Sequence, residues 1–145
     1  MNQTLLSYKK ATEEDIEFLL WLRTQTMSEH LNNAGMEVNE ENHLKRIKYQ
    51  FENAQIILLN EQKIGLLKVI ISKTDIEILQ IQIAPNHQNK GIGRKIIQSI
   101  LEDASLKKIP LQLSVLKANK AQTLYQNLGF SIYDEDKYSY FMKTI

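Results

Sequence analysis

Short apolar runs rich in Ile, Leu and Val mark the strands of this chain. The runs over 55–60, 63–72 and 75–83 predict three successive antiparallel strands, joined by tight turns at Asn60-Glu61-Gln62 and Lys73-Thr74-Asp75. A further strand is expected over 5–10, another over 111–115 behind Pro110, and a closing hairpin over 130–133 and 138–142 around Asp134-Glu135-Asp136. Helical spacing appears in between. Thr12 precedes Glu13-Glu14-Asp15, a cap followed by an acidic first turn. Ile16, Leu19, Leu20 and Arg23 then share a face, which predicts a helix to about Met27. Residues 29–38 look irregular, with Asn32-Asn33-Ala34-Gly35 as a breaker. Asn39 caps a second helix through Leu44, Ile47 and Phe51. A third helix runs over 94–106 with Ile96, Ile97, Ile100 and Leu101 on one face. Asn119, with Gln122 as its reciprocal partner, opens a short fourth helix that Gly129 ends. The order β-α-α-β-β-β-α-β-α-β-β gives an α+β class, a mixed sheet with helices on its faces.

Composition narrows the function. The 145 residues suit one domain, taken as 1–145, with a core of its own. The net charge of +1 gives no overall field for nucleic acid or an anionic membrane, so any basic site must be local. There is no cysteine, which excludes disulfides, cysteine nucleophiles and thiolate metal sites and fits a cytoplasmic protein. Met1-Asn2-Gln3-Thr4 begins no apolar leader segment, and the apolar run 64–71 is interrupted by Gly65 and Lys68 and is too short for a bilayer. His30, His43 and His87 do not fall at metal-ligand spacing, so no metal is expected.

The local basic site is Gln88-Asn89-Lys90-Gly91-Ile92-Gly93-Arg94, with Lys95 beside it, between a strand and a helix start. Bare N–H groups of a first helical turn and the helix dipole attract an anion there, and Gly91 and Gly93 let it approach the main chain. A P-loop needs four residues between its glycines, and a dinucleotide fingerprint needs a third glycine where Ile96 stands. The residues instead resemble the Gln/Arg-x-x-Gly-x-Gly/Ala loop of the GNAT superfamily of N-acetyltransferases. The resemblance covers nearly the whole element order and is most specific over 77–130. It implies the GNAT fold: a mostly antiparallel sheet with splayed central strands and helices on both faces. It also implies acetyl-CoA as cosubstrate. The loop amides from Gln88 to Arg94 would hold its pyrophosphate, and main-chain groups of Ile81, Gln82 and Ile83 would pair with its pantetheine arm. The plainer reading is a strand-to-helix turn whose glycines relieve strain.

The same resemblance assigns chemistry. Glu77 stands where several GNAT enzymes place a general-base glutamate; otherwise it is a polar residue at a strand start. In an unbroken strand Glu77, Leu79, Ile81 and Ile83 would share a face opposite Ile78, Gln80 and Gln82, unless a bulge shifts the phase. The segment Asn119-Lys120-Ala121-Gln122-Thr123-Leu124-Tyr125, followed by Gly129-Phe130, resembles the family's Asn-x-x-Ala-x-x-Leu-Tyr-x-x-x-Gly-Phe, with the small residue displaced to Ala121. Asn119 would touch the pantetheine and Tyr125 would protonate the leaving thiolate; their plain roles are cap and core. An acceptor pocket is expected from Trp21, His30 and Met36, together with Arg23 and Tyr49. The expected reaction is acetyl transfer from acetyl-CoA to a primary amine by direct attack. The alternative is a non-catalytic acyl-CoA-binding regulatory module. The strand over 138–142 suits either a homodimer contact or the end of the sheet.

Overall fold

The computed structural model describes residues 5–33, 35 and 39–144, the side chains of 28–33 excepted. Seven strands form one sheet: β1 Leu6–Lys10, β2 Ala54–Leu59, β3 Gln62–Ile71, β4 Ile76–Ile83, β5 Leu111–Leu116, β6 Ser131–Glu135 and β7 Ser139–Lys143. Their spatial order is β1-β2-β3-β4-β5-β7-β6, and every neighbouring pair is antiparallel except β4 with β5. Four helices cover the sheet: α1 Ile16–Asn33, α2 Glu40–Lys48, α3 Ile92–Lys107 and α4 Ala121–Asn127.

Alternation, with a bulge at Ile64, splits β2 and β3 between two cores. Ile57, Ile64, Leu67, Ile76, Ile78 and Leu111 pack with Ile96, Ile97 and Ala104 of α3. Their neighbours Ile56 and Leu66 pack instead with Leu19, Leu22 and Ile47 of α1 and α2. Each such aliphatic side chain contributes about 1.5–3 kcal/mol on full burial, so a one-residue register slip would transfer these contributions to the wrong face.

Two buried charges tie the α1/α2 layer down. The Asp15 carboxylate, wholly inaccessible, takes Lys63 at 2.6 Å and Lys9 at 2.8 Å, joining the start of α1 to β3 and β1. It also accepts the Thr12 N–H at 2.9 Å, the reciprocal bond of a capping box. Burial alone would raise its pKa; the hydrogen bonds from Lys63, Lys9 and Thr12 outweigh that and hold it well below the ordinary carboxylate range. Lys68, also wholly buried, donates from Nζ to the carbonyls of Arg46 (3.2 Å), Ile47 (3.0 Å) and Tyr49 (2.5 Å). A cation at the carbonyl end of α2 satisfies orphan acceptors and complements the dipole.

Three local expectations are corrected. The first helix continues to Asn33 instead of stopping near Met27, because no Pro or Gly interrupts it before Gly35. Phe51 belongs to a separate 3-10 turn, Phe51–Asn53: α2 stops at Lys48, Tyr49 is extended and Gln50 is left-handed at φ 53°. Gln122 does not close a capping box. Its Nε2 donates to the Lys117 carbonyl at 2.8 Å, while Asn119 Oδ1 accepts the Ala121 N–H at 2.9 Å. The Asn119 cap is an Asx turn one residue before the N-cap, Lys120, which leaves the Gln122 amide turned toward the preceding loop.

Candidate active site

The parallel pair that links the two halves of the sheet is unfinished. β4 and β5 pair only through Ile76 with Leu111, Glu77 with Gln112 and Ile78 with Leu113. Beyond that rung they separate, and a cleft of about 340 Å³ lies between them. The next residue is where β4 bends. Against β3, Val69 pairs with Ile78 and Lys68 with Gln80, so Leu79 is the extra residue of a β-bulge. The bulge also decides which groups face the opening. Ala84 N–H donates to Ile64 O at 2.7 Å, so by antiparallel alternation Gln80, Gln82 and Ala84 exchange hydrogen bonds with β3. The main-chain groups of Ile81 and Ile83 therefore turn to the cleft. Gln82 presents its side chain there instead of its backbone.

Past the end of β4, before α3, comes the glycine loop. Gln88 shapes it: its N–H donates to Pro85 O at 3.2 Å and its Nε2 to Ile83 O at 2.8 Å. This corrects the expectation of a free Gln88 amide. Asn89 (φ 61°) and Gly91 (φ 81°) are left-handed, and α3 starts at Ile92. The next main-chain bond is Lys95 N–H to Gly91 O at 3.0 Å. The N–H groups of Asn89, Lys90, Gly91, Ile92, Gly93 and Arg94 have no protein acceptor among the described residues. Successive amides turned outward at a helix start form an anion concavity. A Cβ placed on Gly93 would meet no atom within 4 Å, and its φ is not left-handed. Nothing inside the chain requires glycine there.

The far wall carries Asn119 and Tyr125. Tyr125 is locked by the way α4 ends. Gly129 at φ 101° lets Phe130 N–H return to Tyr125 O at 3.0 Å and Gly129 N–H to Gln126 O at 3.1 Å, a Schellman closure. The Phe130 ring then packs on the Tyr125 ring, centroids 5.9 Å apart. Tyr125 is 8% exposed, and burial pushes its phenol up to about 12. That keeps the hydroxyl protonated at neutral pH, and with no hydrogen-bond partner among the described residues it is free to donate.

The opposite mouth, toward α1 and α2, is lined by side chains: Arg23 and Met27 one turn apart on α1, Arg46 from α2, and Gln80 and Gln82 from β4. Arg23 Nε donates to His43 Nδ1 at 3.1 Å, which requires a neutral imidazole; burial and the Arg23 charge both hold the His43 pKa down. The two glutamines are nearly inaccessible, and among the described residues neither Oε1 has a hydrogen-bond partner.

The sequence profile described as the acetyltransferase (GNAT) domain matches residues 52–132. The chain belongs to the GNAT acetyltransferase family. It is 27% identical over 141 residues to acetyltransferase PseH of Campylobacter jejuni subsp. jejuni serotype O:23/36 (strain 81-176), covering 92% of this chain and 87% of that protein. Among solved structures it is similar to the PaiA N-acetyltransferase of Thermoplasma acidophilum in complex with coenzyme A. That match has 20% identity, a TM-score of 0.70, and covers 97% of this chain and 98% of the other. An acetyltransferase of Thermus thermophilus is also 20% identical, with a TM-score of 0.75 and 95% of each chain covered. The fold is therefore the GNAT fold, with the splayed central strands expected of it.

Against that family, the sequence-derived site residues divide. Ile81, Gln82, Asn119 and Tyr125 line the cleft. Ile83 and the loop from Gln88 to Arg94 follow at the end of β4 and the start of α3, outside the cleft lining. Glu77 sits one rung before the strands part, in the paired region, and does not line the opening. Its expected face is corrected by the bulge. Ile76, Ile78, Ile81 and Ile83 all pack on the α3 side, so Glu77 lies with Gln80 and Gln82 on the α1/α2 side. Trp21 is 46% exposed, stacks with Phe18 at 6.0 Å and stays outside the cleft, because it lies about 200° around the helix from Arg23. Tyr49 is likewise outside: its ring lies under the Arg46 guanidinium at 5.2 Å. Met36 and the side chain of His30 lie outside the described residues. Sequence reasoning missed Arg46 and the anchoring role of Lys68. Lys68 carried a signal, a lone cation within the apolar run 64–71 that had to be either exposed or partnered. Among the described residues no helix is long and apolar enough to cross a membrane.

Proposed function

We propose that this protein transfers an acetyl group from acetyl-CoA to a primary amine by direct attack in the β4–β5 cleft. The observation that carries the reading is that six loop amides without a protein acceptor among the described residues follow directly on β4, the strand whose outward main chain at Ile81 lines the cleft together with the buried Tyr125 phenol. The loop suits a diphosphate: donors converge, Lys90, Arg94 and Lys95 add charge, and the open space at Gly93 is what a phosphate needs. The coenzyme A in the PaiA structure supports the same ligand here. The unpaired edge of β4 suits an extended amide-bearing chain, which adds to it as a strand would. The Ile81 N–H is the donor best turned toward an oxyanion developing on the thioester carbonyl as the amine attacks.

Proton traffic then falls to two residues. Glu77, on the acceptor side and just short of the cleft, takes the ammonium proton through water. Tyr125 donates to the departing sulfur. Its pKa of about 12 lies above that of an ordinary thiol near 8.5, so full transfer to a free thiolate is uphill by about 5 kcal/mol. Tyr125 therefore acts as a hydrogen-bond donor while charge builds, and transfer completes as the amine gives up its proton. Bringing the reactants together in line supplies much of the acceleration.

The test is calorimetric titration with acetyl-CoA followed by thiol release across a panel of primary amines. Binding together with amine-dependent thiol release is expected. No binding of acetyl-CoA or of any other CoA ester would end the proposal. Tight binding without thiol release would favour a regulatory module.

A further inference from the structure

We infer that the acceptor is an amine that also carries an anionic group, a carboxylate or a phosphate, held by Arg23 and Arg46 at the α1/α2 mouth of the cleft. This rests on the acetyl-transfer reading above and specifies the class of acceptor.

The argument begins with uncompensated charge. Arg23 is 7% exposed, yet its hydrogen bond goes to a neutral imidazole, His43. Among the described residues neither Arg23 nor Arg46 has a carboxylate within ion-pair distance. The two guanidinium groups repel each other: after burial itself, Arg46 is what lowers the Arg23 pKa, to about 10. Lys68 lies behind them, and both arginines depress its pKa as well. Lys68 is satisfied by the carbonyls of Arg46, Ile47 and Tyr49; among the described residues the arginines have no such set. Removing a guanidinium from water without an anion is costly. Two planar donor forks on one wall match carboxylate or phosphate oxygens.

A second observation comes from β4. Gln80 and Gln82 are 8% and 6% exposed, line the same cleft, and have buried Oε1 atoms without a donor among the described residues. Buried amide oxygens left unpaired are rare in folded proteins. An amine or ammonium supplies the donors they lack. Cationic forks and orphan acceptors in one cleft are complementary to a molecule with an anion at one end and an amine at the other. The bulge at Leu79 places the glutamines on this face instead of the α3 side, so the feature is built by the strand that opens the cleft.

The experiment compares matched acceptors with acetyl-CoA: L-alanine against L-alaninamide, and glucosamine 6-phosphate against glucosamine. Thiol release is measured for wild type, Arg46→Gln and Arg46→Lys. Arg46 is partly exposed, so its replacement does not endanger folding. At least one anionic member should exceed its neutral counterpart tenfold or more in kcat/KM. The pair that shows the effect identifies the anion as carboxylate or phosphate. Arg46→Gln should bring the ratio toward one, chiefly through KM, with acetyl-CoA affinity unchanged, and Arg46→Lys should restore part of it. If turnover is slow, thermal protection of the CoA-loaded protein by N-acetyl-L-alanine or N-acetylglucosamine 6-phosphate, but not by N-acetyl-L-alaninamide, gives the same answer. Indifference to acceptor charge in both assays overturns this inference alone. So does loss of acetyl-CoA affinity in Arg46→Gln, which would make the arginine a cosubstrate contact. Failure of wild type to bind acetyl-CoA removes both readings.

Discussion

The two mouths of the cleft are built from different materials. On the α3 side the polar groups are main-chain N–H donors from six consecutive residues, Asn89 to Arg94, and no side chain is needed to aim them. On the α1/α2 side they are side chains from three separate elements, Arg23, Arg46, Gln80 and Gln82, brought together only by packing. A backbone cradle can be damaged mainly by filling its space or changing its charge. A side-chain cluster can be altered residue by residue without moving the chain. Under the proposed function, the backbone mouth takes the cosubstrate and the side-chain mouth the acceptor.

Tyr125 stands between the two, and its removal should produce the largest effect. Tyr125→Phe keeps the ring packed on Phe130 and deletes only the donor. Turnover is expected to fall about 10²–10³-fold, within the usual range for a lost general acid, while calorimetric affinity for acetyl-CoA stays unchanged. Weaker acetyl-CoA binding with normal turnover would assign Tyr125 to the binding surface and erase the distinction.

Two glycines separate ligand space from protein space. Gly93→Asp puts a side chain where no protein atom lies within 4 Å. A carboxylate in the first turn suits the helix dipole, so unfolding midpoints should hold or rise slightly. Acetyl-CoA affinity, in contrast, should fall about 100-fold, because the new charge repels the diphosphate at contact range. Gly65→Ala should do the reverse. Its Cβ would collide with the Gln82 carbonyl oxygen and crowd Ile57 and Ile83. Forcing β3 from β4 should cost about 1–3 kcal/mol in urea denaturation, with residual binding unaffected at temperatures where the fold survives. If Gly93→Asp destabilised the protein as much as Gly65→Ala, the loop would be a strained turn and not a cradle.

The same division explains what the chain disclosed as a string. The loop was legible because strand, glycines and helix start are contiguous, and short-range geometry follows from short-range sequence. The end of α4 was legible for the same reason: Gly129 and Phe130 carry the closure that fixes Tyr125. The α1/α2 mouth was not. Arg46 reads as one more cation on a polar helix face until β3 and α2 are docked. Trp21 reads as a pocket residue because the helix phase relative to the sheet is a tertiary fact. The bulge at Leu79 left only a phase jump, from Ile76 and Ile78 to Ile81 and Ile83, which an unbroken strand buried on both faces would also show, and one inserted residue reversed the face assigned to Glu77.

Lys68 offers the finest test of the side-chain mouth, because it holds α2, and with it Arg46, against the sheet. Burial, then Arg46 and Arg23, lower its pKa from 10.5 to about 8. Between those values the unfolded chain binds a proton that the folded protein does not, so stability rises with pH across that window. Below pH 8 both states are protonated and the slope vanishes; above 10.5 neither is, and it vanishes again. Lys68→Met removes this titration while leaving all others in place. The difference in unfolding free energy, wild type minus variant, should therefore grow by roughly 1–2 kcal/mol from pH 8 to pH 10. Subtracting the variant cancels the other lysines and the tyrosines that titrate over the same range. A flat difference would mean that the carbonyls of Arg46, Ile47 and Tyr49 fully compensate the ammonium. The charge behind Arg23 and Arg46 would then be neutralised locally, and the contrast between a costly, side-chain-built mouth and an inexpensive backbone one would be weaker than the geometry implies.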